Sequence, residues 1–298
     1  MRIFITGASG FIGRRLLKQL DSKKAQFLLL AKDKEENTIL KRFGFPVCIG
    51  NLNNLGRFKK RVIDFAPQVC VHLAWEGIPD YSFSMSKRNL DNSLNLINFL
   101  ADETDCNKLI ITGSCMEYGK TKGTCKESEA FAINSFFSWA KCSLHTYADF
   151  VCKDSGINLI WMRLFYVYGP GQRKGSLIPS LVYALDEGYT PVIKNPYNAN
   201  DFIHVDDVVS ALRIAVTKKV KSGIYNLGSG TSARVVDVFE ILQEIMNYKR
   251  KIMLSGNHTS KPINFWADIS KARKLLDWKP KISLREGITD YLKKEKVI

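Results

Sequence analysis

Three glycines spaced Gly7-x-x-Gly10-x-x-Gly13, within Met1-Arg-Ile-Phe-Ile-Thr-Gly-Ala-Ser-Gly-Phe-Ile-Gly13, are arranged for one kind of chemistry, the capture of a pyrophosphate. Gly7 permits a tight turn out of the apolar run Ile3-Phe4-Ile5, and Gly10 lets the backbone approach phosphate oxygens where a side chain would stand in the way. Gly13 lets a helix starting near Phe11 lie close to the strand, so that its free N–H groups and positive dipole end face the phosphates. Ser9, Phe11 and Ile12 belong to the same turn, and Ile12, Leu16, Leu17 and Leu20 continue it at helical spacing. The pattern predicts a strand, a phosphate-binding turn and a helix.

A second chemical position lies at the end of Gln26-Phe-Leu-Leu-Leu30, which reads as the next strand. A residue there meets the adenosine ribose, and an acidic one favours NAD by accepting from the 2′-hydroxyl and repelling a 2′-phosphate. Counted from Gly7 the slot is Ala31, followed by Lys32, so the missing acid and the adjacent cation favour NADP(H). Asp33 lies two residues on and restores the NAD reading if the strand ends later.

The elements that must position these groups follow in order. Phe45–Ile49 reads as a third strand and Val69-Cys-Val-His-Leu-Ala74 as a fourth, buried one. A helix is predicted around Asn89–Ile97, a fifth strand over Lys108–Thr112, a long helix over Ser138–Phe150 and a sixth strand over Asn158–Phe165. Alternating strands and helices predict an α/β fold with a doubly wound parallel sheet.

The 298 residues, 45% of them apolar, are enough for one large or two modest domains. The net charge of +15 comes from 44 basic residues interleaved with 29 acidic ones, with only short clusters such as Lys59-Lys60-Arg61 and Lys249-Arg250-Lys251. That scatter argues against nucleic acid and suits an anionic small molecule. Seven cysteines without paired spacing read as reduced thiols of a cytoplasmic protein. His72, His145, His204 and His258 are too dispersed to predict a metal site. Met1 leads directly into the first strand, and no apolar run is long enough for a bilayer, so neither a signal peptide nor a membrane anchor is expected.

Several segments together are similar to the extended short-chain dehydrogenase/reductase family, whose members mostly act on nucleotide sugars. They are the Thr6-preceded glycine triplet, Gly50-Asn51-Leu52, Leu73-Ala74, Asn89, Gly113-Ser-Cys-Met-Glu-Tyr-Gly119, Lys141, Arg163-Leu-Phe-Tyr-Val-Tyr-Gly-Pro-Gly171, Asp201-Phe-Ile-His-Val-Asp-Asp-Val208, Tyr225–Gly230 and Ala267–Pro280. The resemblance implies a Rossmann-type domain over residues 1–165 and a smaller C-terminal α/β substrate lobe over 166–298, with return segments at about 201–228. It places Asn51, Leu52, Leu73, Ala74, Trp75, Asn89, Phe165 and Val167 beside the cofactor. Ser114 would hydrogen-bond the reacting oxygen, and Lys141 would hold the nicotinamide ribose and lower a neighbouring tyrosine's pKa. Trp75, Tyr166, Gln172 and Arg173 are the implied substrate contacts. Lys261 is the nearest cation where relatives place a diphosphate-binding arginine, although a point charge clamps a diphosphate less well. A homodimer through the fourth and fifth helices is also implied.

The chain departs from this pattern where relatives carry the catalytic tyrosine, one helical turn before Lys141. Phe137 stands there and has no hydroxyl to exchange a proton. The literal Tyr-x-x-x-Lys at Tyr118–Lys122 falls in the loop after the fifth strand. Three explanations stay open: an engineered Tyr→Phe change, a natural replacement with another group or water moving the proton, or loss of catalysis in a cofactor-binding sensor. Cys115 and Met116 stand where 4,6-dehydratases carry an Asp-Glu pair, which disfavours dehydration. The expectation is an NADP(H)-dependent 4-keto reductase of a nucleotide-linked 4-keto-6-deoxy sugar, the alternative an NAD-dependent 4-epimerase.

Overall fold

The computed structural model describes residues 1–21, 23–120, 122–193, 195–248, 253–254 and 261–298. Lys249, Arg250, Lys251 and His258, named above, lie outside the described residues. The chain forms two compact units, one of residues 1–119, 129–163 and 209–225 and a second of 120–128, 164–208 and 226–298.

The first unit begins with β1 (Arg2–Thr6), α1 (Phe11–Leu17), β2 (Gln26–Ala31), α2 (Lys34–Lys41), β3 (Val47–Ile49), α3 (Lys59–Phe65) and β4 (Val69–His72). It continues with α4 (Phe83–Glu103) and β5 (Lys108–Ser114). The short strand β6 (Lys122–Cys125) belongs to the second unit, and α5 (Phe136–Asp154) and β7 (Asn158–Leu164) return to the first. The sheet is the expected Rossmann-like α/β arrangement, seven strands in the order Gly223–Leu227, β7, β5, β4, β1, β2, β3. β1 pairs in parallel with β2 and β4, and β4 with β5. Ile3, Phe4 and Ile5 are at most 1% exposed, and β4 is buried throughout, as a strand covered on both faces requires.

The third strand is shorter than Phe45–Ile49 predicts, because it starts only at Val47, while the fifth runs two residues further, through Ser114. α4 begins well before Asn89, at Phe83, where the Ser82 hydroxyl caps it by accepting from the Met85 N–H. Ser135 caps α5 in the same way through the Ser138 N–H. Leu96, Ile97 and Leu100 on α4 and Leu144 and Ala148 on α5 join β4 and β5 in one core.

The second unit packs its own core from Tyr168, Leu181, Leu185, Val238, Phe239, Leu242, Ile288 and Leu292. Its strand β8 (Tyr166–Tyr168) pairs with Phe202–His204, and β6 pairs with Asn264–Ala267 in a four-stranded sheet. No helix among the described residues is long and apolar enough to cross a membrane.

Candidate functional site

At the carboxyl ends of β1 to β4 lies a cavity of about 280 Å³. Gly7, Ser9 and Gly10 form one part of its wall, Lys32, Asn51 and Leu52 another, and Leu73, Ala74, Trp75 and Asn89 a third. Gly7 has φ +70°, and a Cβ on it would stand 2.5 Å from the Ala74 nitrogen, so only glycine allows this turn to seat on the exit of β4. A Cβ on Gly13 would lie 2.3 Å from the Gly7 carbonyl oxygen, which is why α1 can start directly against the turn. Gly10 precedes α1 with no side-chain cap, leaving the helix's first N–H groups without a side-chain acceptor. A backbone cradle opening into a cavity of mixed polar and apolar walls fits a dinucleotide. Phe11, Ile12 and Gly13 stand behind the cradle on α1 and do not line the cavity.

The part of the cavity lined by Lys32 differs from its sequence reading in one respect. Glu36 also lines the cavity, its carboxylate 3.7 Å from the Lys32 ammonium and accepting from the Lys32 N–H at 3.0 Å. Lys32 is therefore a paired cation, and the charge argument for a 2′-phosphate weakens. Asp33 instead caps α2, accepting from the Glu36 N–H at 2.9 Å. The i, i+4 spacing of Lys32 and Glu36 was visible in the sequence, but their meeting depends on where α2 starts.

A polar relay ties the strand ends to α4. The Ser93 hydroxyl donates to the Asn89 carbonyl at 2.7 Å, so it accepts from His72 Nε2 at 3.0 Å, and Nδ1 accepts from Thr6 at 2.7 Å. His72 stays neutral, its pKa lowered to about 3 by burial and then by the charge of Lys141. Asn89 pins the segment after β4, accepting from the Glu76 N–H at 2.7 Å and donating to the Glu76 and Met85 carbonyls.

Beside this wall, α5 presents Phe137 and Lys141 one turn apart, both buried. The Lys141 ammonium donates to the Thr112 carbonyl of β5 at 2.9 Å and stands 3.6 Å above the Trp75 ring. Burial pulls its pKa down to about 7, and the Glu117 carboxylate opposes that shift. Phe137 lies edge-on to Trp75 with ring centroids 5.5 Å apart. Ser114 ends β5 two residues beyond Thr112, its hydroxyl accepting from the Met116 N–H at 3.2 Å.

Behind Ser114 sits a group that the sequence reading passed over, the fully buried Glu117. Its carboxylate accepts from the Ser114 N–H at 2.7 Å, the Trp161 indole at 3.1 Å and the Arg163 guanidinium at 2.7 Å. Burial pushes the Glu117 carboxyl up, against the charge of Arg163, and a set of partners made only of donors selects the ionised form. Tyr118 is buried with its ring 4.3 Å from the Arg163 guanidinium carbon, and Lys122 opens β6 in the second unit.

The remaining candidates belong to the second unit. Phe165 and Tyr166 pack near Phe265, with centroids 6.2 and 6.1 Å away, and Val167 pairs with Ile203. Gln172 donates to the Val167 carbonyl, Arg173 donates to the Ser176 hydroxyl, and Lys261 is exposed. This unit has a cavity of about 290 Å³ beside Phe202, Ser229 and Lys281, which none of these residues lines. His204, Asp206 and Asp290 bring ligating atoms within 4.8 Å of one another, a grouping their sequence positions do not suggest. Asp290 also pairs with Lys294 at 2.8 Å.

A family model described as the NAD dependent epimerase/dehydratase family matches residues 3–228. An uncharacterized UDP-glucose epimerase of Bacillus subtilis is 27% identical, the alignment covering 98% of this chain and 97% of the relative. The dTDP-4-dehydro-6-deoxyglucose reductase of Escherichia coli is 24% identical, covering 98% and 96%. Among solved structures, UDP-glucuronic acid 4-epimerase from Bacillus cereus, in complex with UDP-glucuronic acid and NAD, superposes with a TM-score of 0.89 at 23% identity, covering 100% of this chain and 99% of that one.

Proposed function

The chain belongs to the NAD dependent epimerase/dehydratase family, and from that premise we propose that it reduces the 4-keto group of a nucleotide-linked 4-keto-6-deoxy sugar. The observation that carries this reading is the buried Lys141 ammonium on Trp75, a residue of the dinucleotide cavity wall. A cation held there suits the ribose hydroxyls of a nicotinamide cofactor and a developing oxyanion beside it. When bound, the reduced cofactor supplies hydride to the sugar carbon. Ser114 donates a hydrogen bond to the sugar oxygen, Asn89 fixes the cavity wall through Glu76, and Glu117 holds the Ser114 backbone in place. Cys115 and Met116 offer no acid–base pair for dehydration. Tyr166, Gln172, Arg173 and Lys261 remain proposed contacts for the nucleotide sugar, and Phe165 and Val167 for the cofactor.

A second reading, an NAD-dependent 4-epimerase, is favoured by one observation, the Glu36 carboxylate in the cavity wall. The balance of charge between Lys32 and Glu36 decides the cofactor, NADP(H) if Lys32 meets a 2′-phosphate and NAD(H) if Glu36 holds it. Steady-state assays with CDP-, dTDP- and GDP-linked 4-keto-6-deoxy sugars test both points. Wild-type protein is expected to oxidise reduced nicotinamide, and Glu36→Gln to raise the NADPH-over-NADH ratio of kcat/KM by about tenfold, or 1.4 kcal/mol. An unmoved ratio removes Glu36 from cofactor choice. Cofactor binding without turnover of any keto sugar removes the reductase, and interconversion of 4-hydroxy epimers establishes the epimerase.

We also propose a homodimer through α4 and α5, which expose Phe83, Phe136 and Phe150. Light scattering is expected to give twice the 33.8 kDa of one chain, and a monomer mass at micromolar concentration would refute it.

A further inference from the structure

We infer that Tyr81 supplies the proton that Phe137 cannot, so that the phenol of this active site comes from the segment before α4 instead of from α5. The inference rests on the reductase reading above. Lys141, Trp75, Phe137 and Tyr81 form a continuous run. The ammonium stands 3.6 Å over the indole, the indole meets the phenyl ring edge-on at 5.5 Å, and the Tyr81 ring lies 5.0 Å beyond it, tilted by 59°. The Phe137 ring is itself 6.0 Å from the Lys141 ammonium. A phenol has thus been placed against the slot where the oxygen is missing.

The other tyrosines of the first unit are engaged elsewhere. Tyr118 is buried against Arg163, the Tyr147 hydroxyl donates to Asn98, and that of Tyr225 donates to the Lys221 carbonyl at 2.6 Å. Tyr81 is 39% exposed, so the residue is in contact with water. Its backbone is held from both sides. Trp75, Glu76 and Gly77 line the cavity, the Asp80 N–H donates to the Gly77 carbonyl at 2.6 Å, and the Ser82 N–H donates to the Asp80 carboxylate at 2.9 Å. The residue therefore sits on an anchored turn that begins in the cavity wall, an arrangement suited to a positioned general acid.

In the reductive direction the ketone gains a hydride at carbon from the reduced nicotinamide and the Tyr81 proton at oxygen. One C=O π bond gives way to a C–H and an O–H bond, and the phenolate left on Tyr81 takes a proton back from water. Lys141, at the opposite end of the run from Tyr81, stabilises negative charge beside Trp75, and Phe137 and Trp75 keep water away from the reacting carbon.

Two measurements on wild type and Tyr81→Phe test this. The first is kcat/KM with a 4-keto-6-deoxy sugar nucleotide. The second is calorimetric binding, without turnover, of a 4-hydroxy sugar nucleotide and its 4-deoxy analogue. Tyr81→Phe is expected to lose about 10²–10⁴ in kcat/KM, and to reduce the preference for the 4-hydroxy ligand by about tenfold, the worth of one good hydrogen bond. Its thermal midpoint should match the wild type, because only one oxygen is removed from a residue that is 39% exposed. Turnover within about threefold of wild type overturns the inference, as does lost turnover with the 4-hydroxy preference intact. If wild type turns over no keto sugar but Tyr81→Phe still loses that preference, the reductase reading falls and the Tyr81 contact stands.

Discussion

Replacing Glu117 by alanine is expected to destabilise the first unit by about 3–5 kcal/mol, the cost of leaving a buried charge without its partner. Arg163 is fully buried, and its guanidinium donates to the Glu117 carboxylate at 2.7 Å. Alanine would strand that cation and also leave the Trp161 indole and the Ser114 N–H without their acceptor. The faces of Tyr118 and Phe131, 4.3 and 5.1 Å from the guanidinium carbon, can offset only part of the loss, since a cation–π contact contributes about 0.5–2 kcal/mol. Urea unfolding followed by tryptophan fluorescence measures the change, and a drop in thermal midpoint on the order of 10 °C should accompany it. The pair should also show strong coupling. Glu117→Ala combined with Arg163→Met removes both charges, so the double variant is expected to be more stable than Glu117→Ala alone. Strictly additive losses would mean that the two groups do not act as a pair.

The same group shows what a linear reading reaches and what it does not. The glycine turn was legible because it is local: strand, turn and helix follow one another within 13 residues, and each glycine has its own steric reason. The sheet was legible because buried parallel strands are continuous apolar runs, as Ile3–Ile5 and Val69–Val71 are. Strand ends were less so, since the extension of β5 to Ser114 depends on Glu117 accepting from the Ser114 N–H and on its neighbours from β7. Glu117, Trp161 and Arg163 meet only when β5 and β7 lie side by side in the sheet, and no periodicity in either segment announces the pair. Tyr81 is the same case. Its ring reaches Phe137 from a turn far away in the chain, and a tyrosine in a polar loop carries no signal of that contact. The placing of Phe137 one helical turn before Lys141 was plain from the sequence, but the groups around it come from separate elements and had to be seen in the fold.

Lys141→Met is expected to lower kcat/KM by about 10²–10⁴ while making the folded protein more resistant to urea at low pH. Both effects follow from the same buried charge. The ammonium lies in a nearly dry site with one carbonyl acceptor and the Trp75 face, and burial pulls its pKa from 10.5 to about 7. Between those two values the unfolded chain binds a proton that the folded chain does not, so wild-type stability rises with pH from about 7 toward 10.5. Below pH 7 both states carry the proton, and the folded state bears the full penalty of holding a desolvated cation, on the order of a few kcal/mol. Methionine has a similar length and no charge, so the variant escapes that penalty. Its stability advantage is expected to be largest below pH 7 and to shrink as pH rises to 9. Urea midpoints of both proteins at pH 6, 7.5 and 9 test the sign, and an advantage that grows with pH would contradict it. Both results together would mean that the site keeps a charge at the expense of folding and holds it for the proposed chemistry beside Trp75.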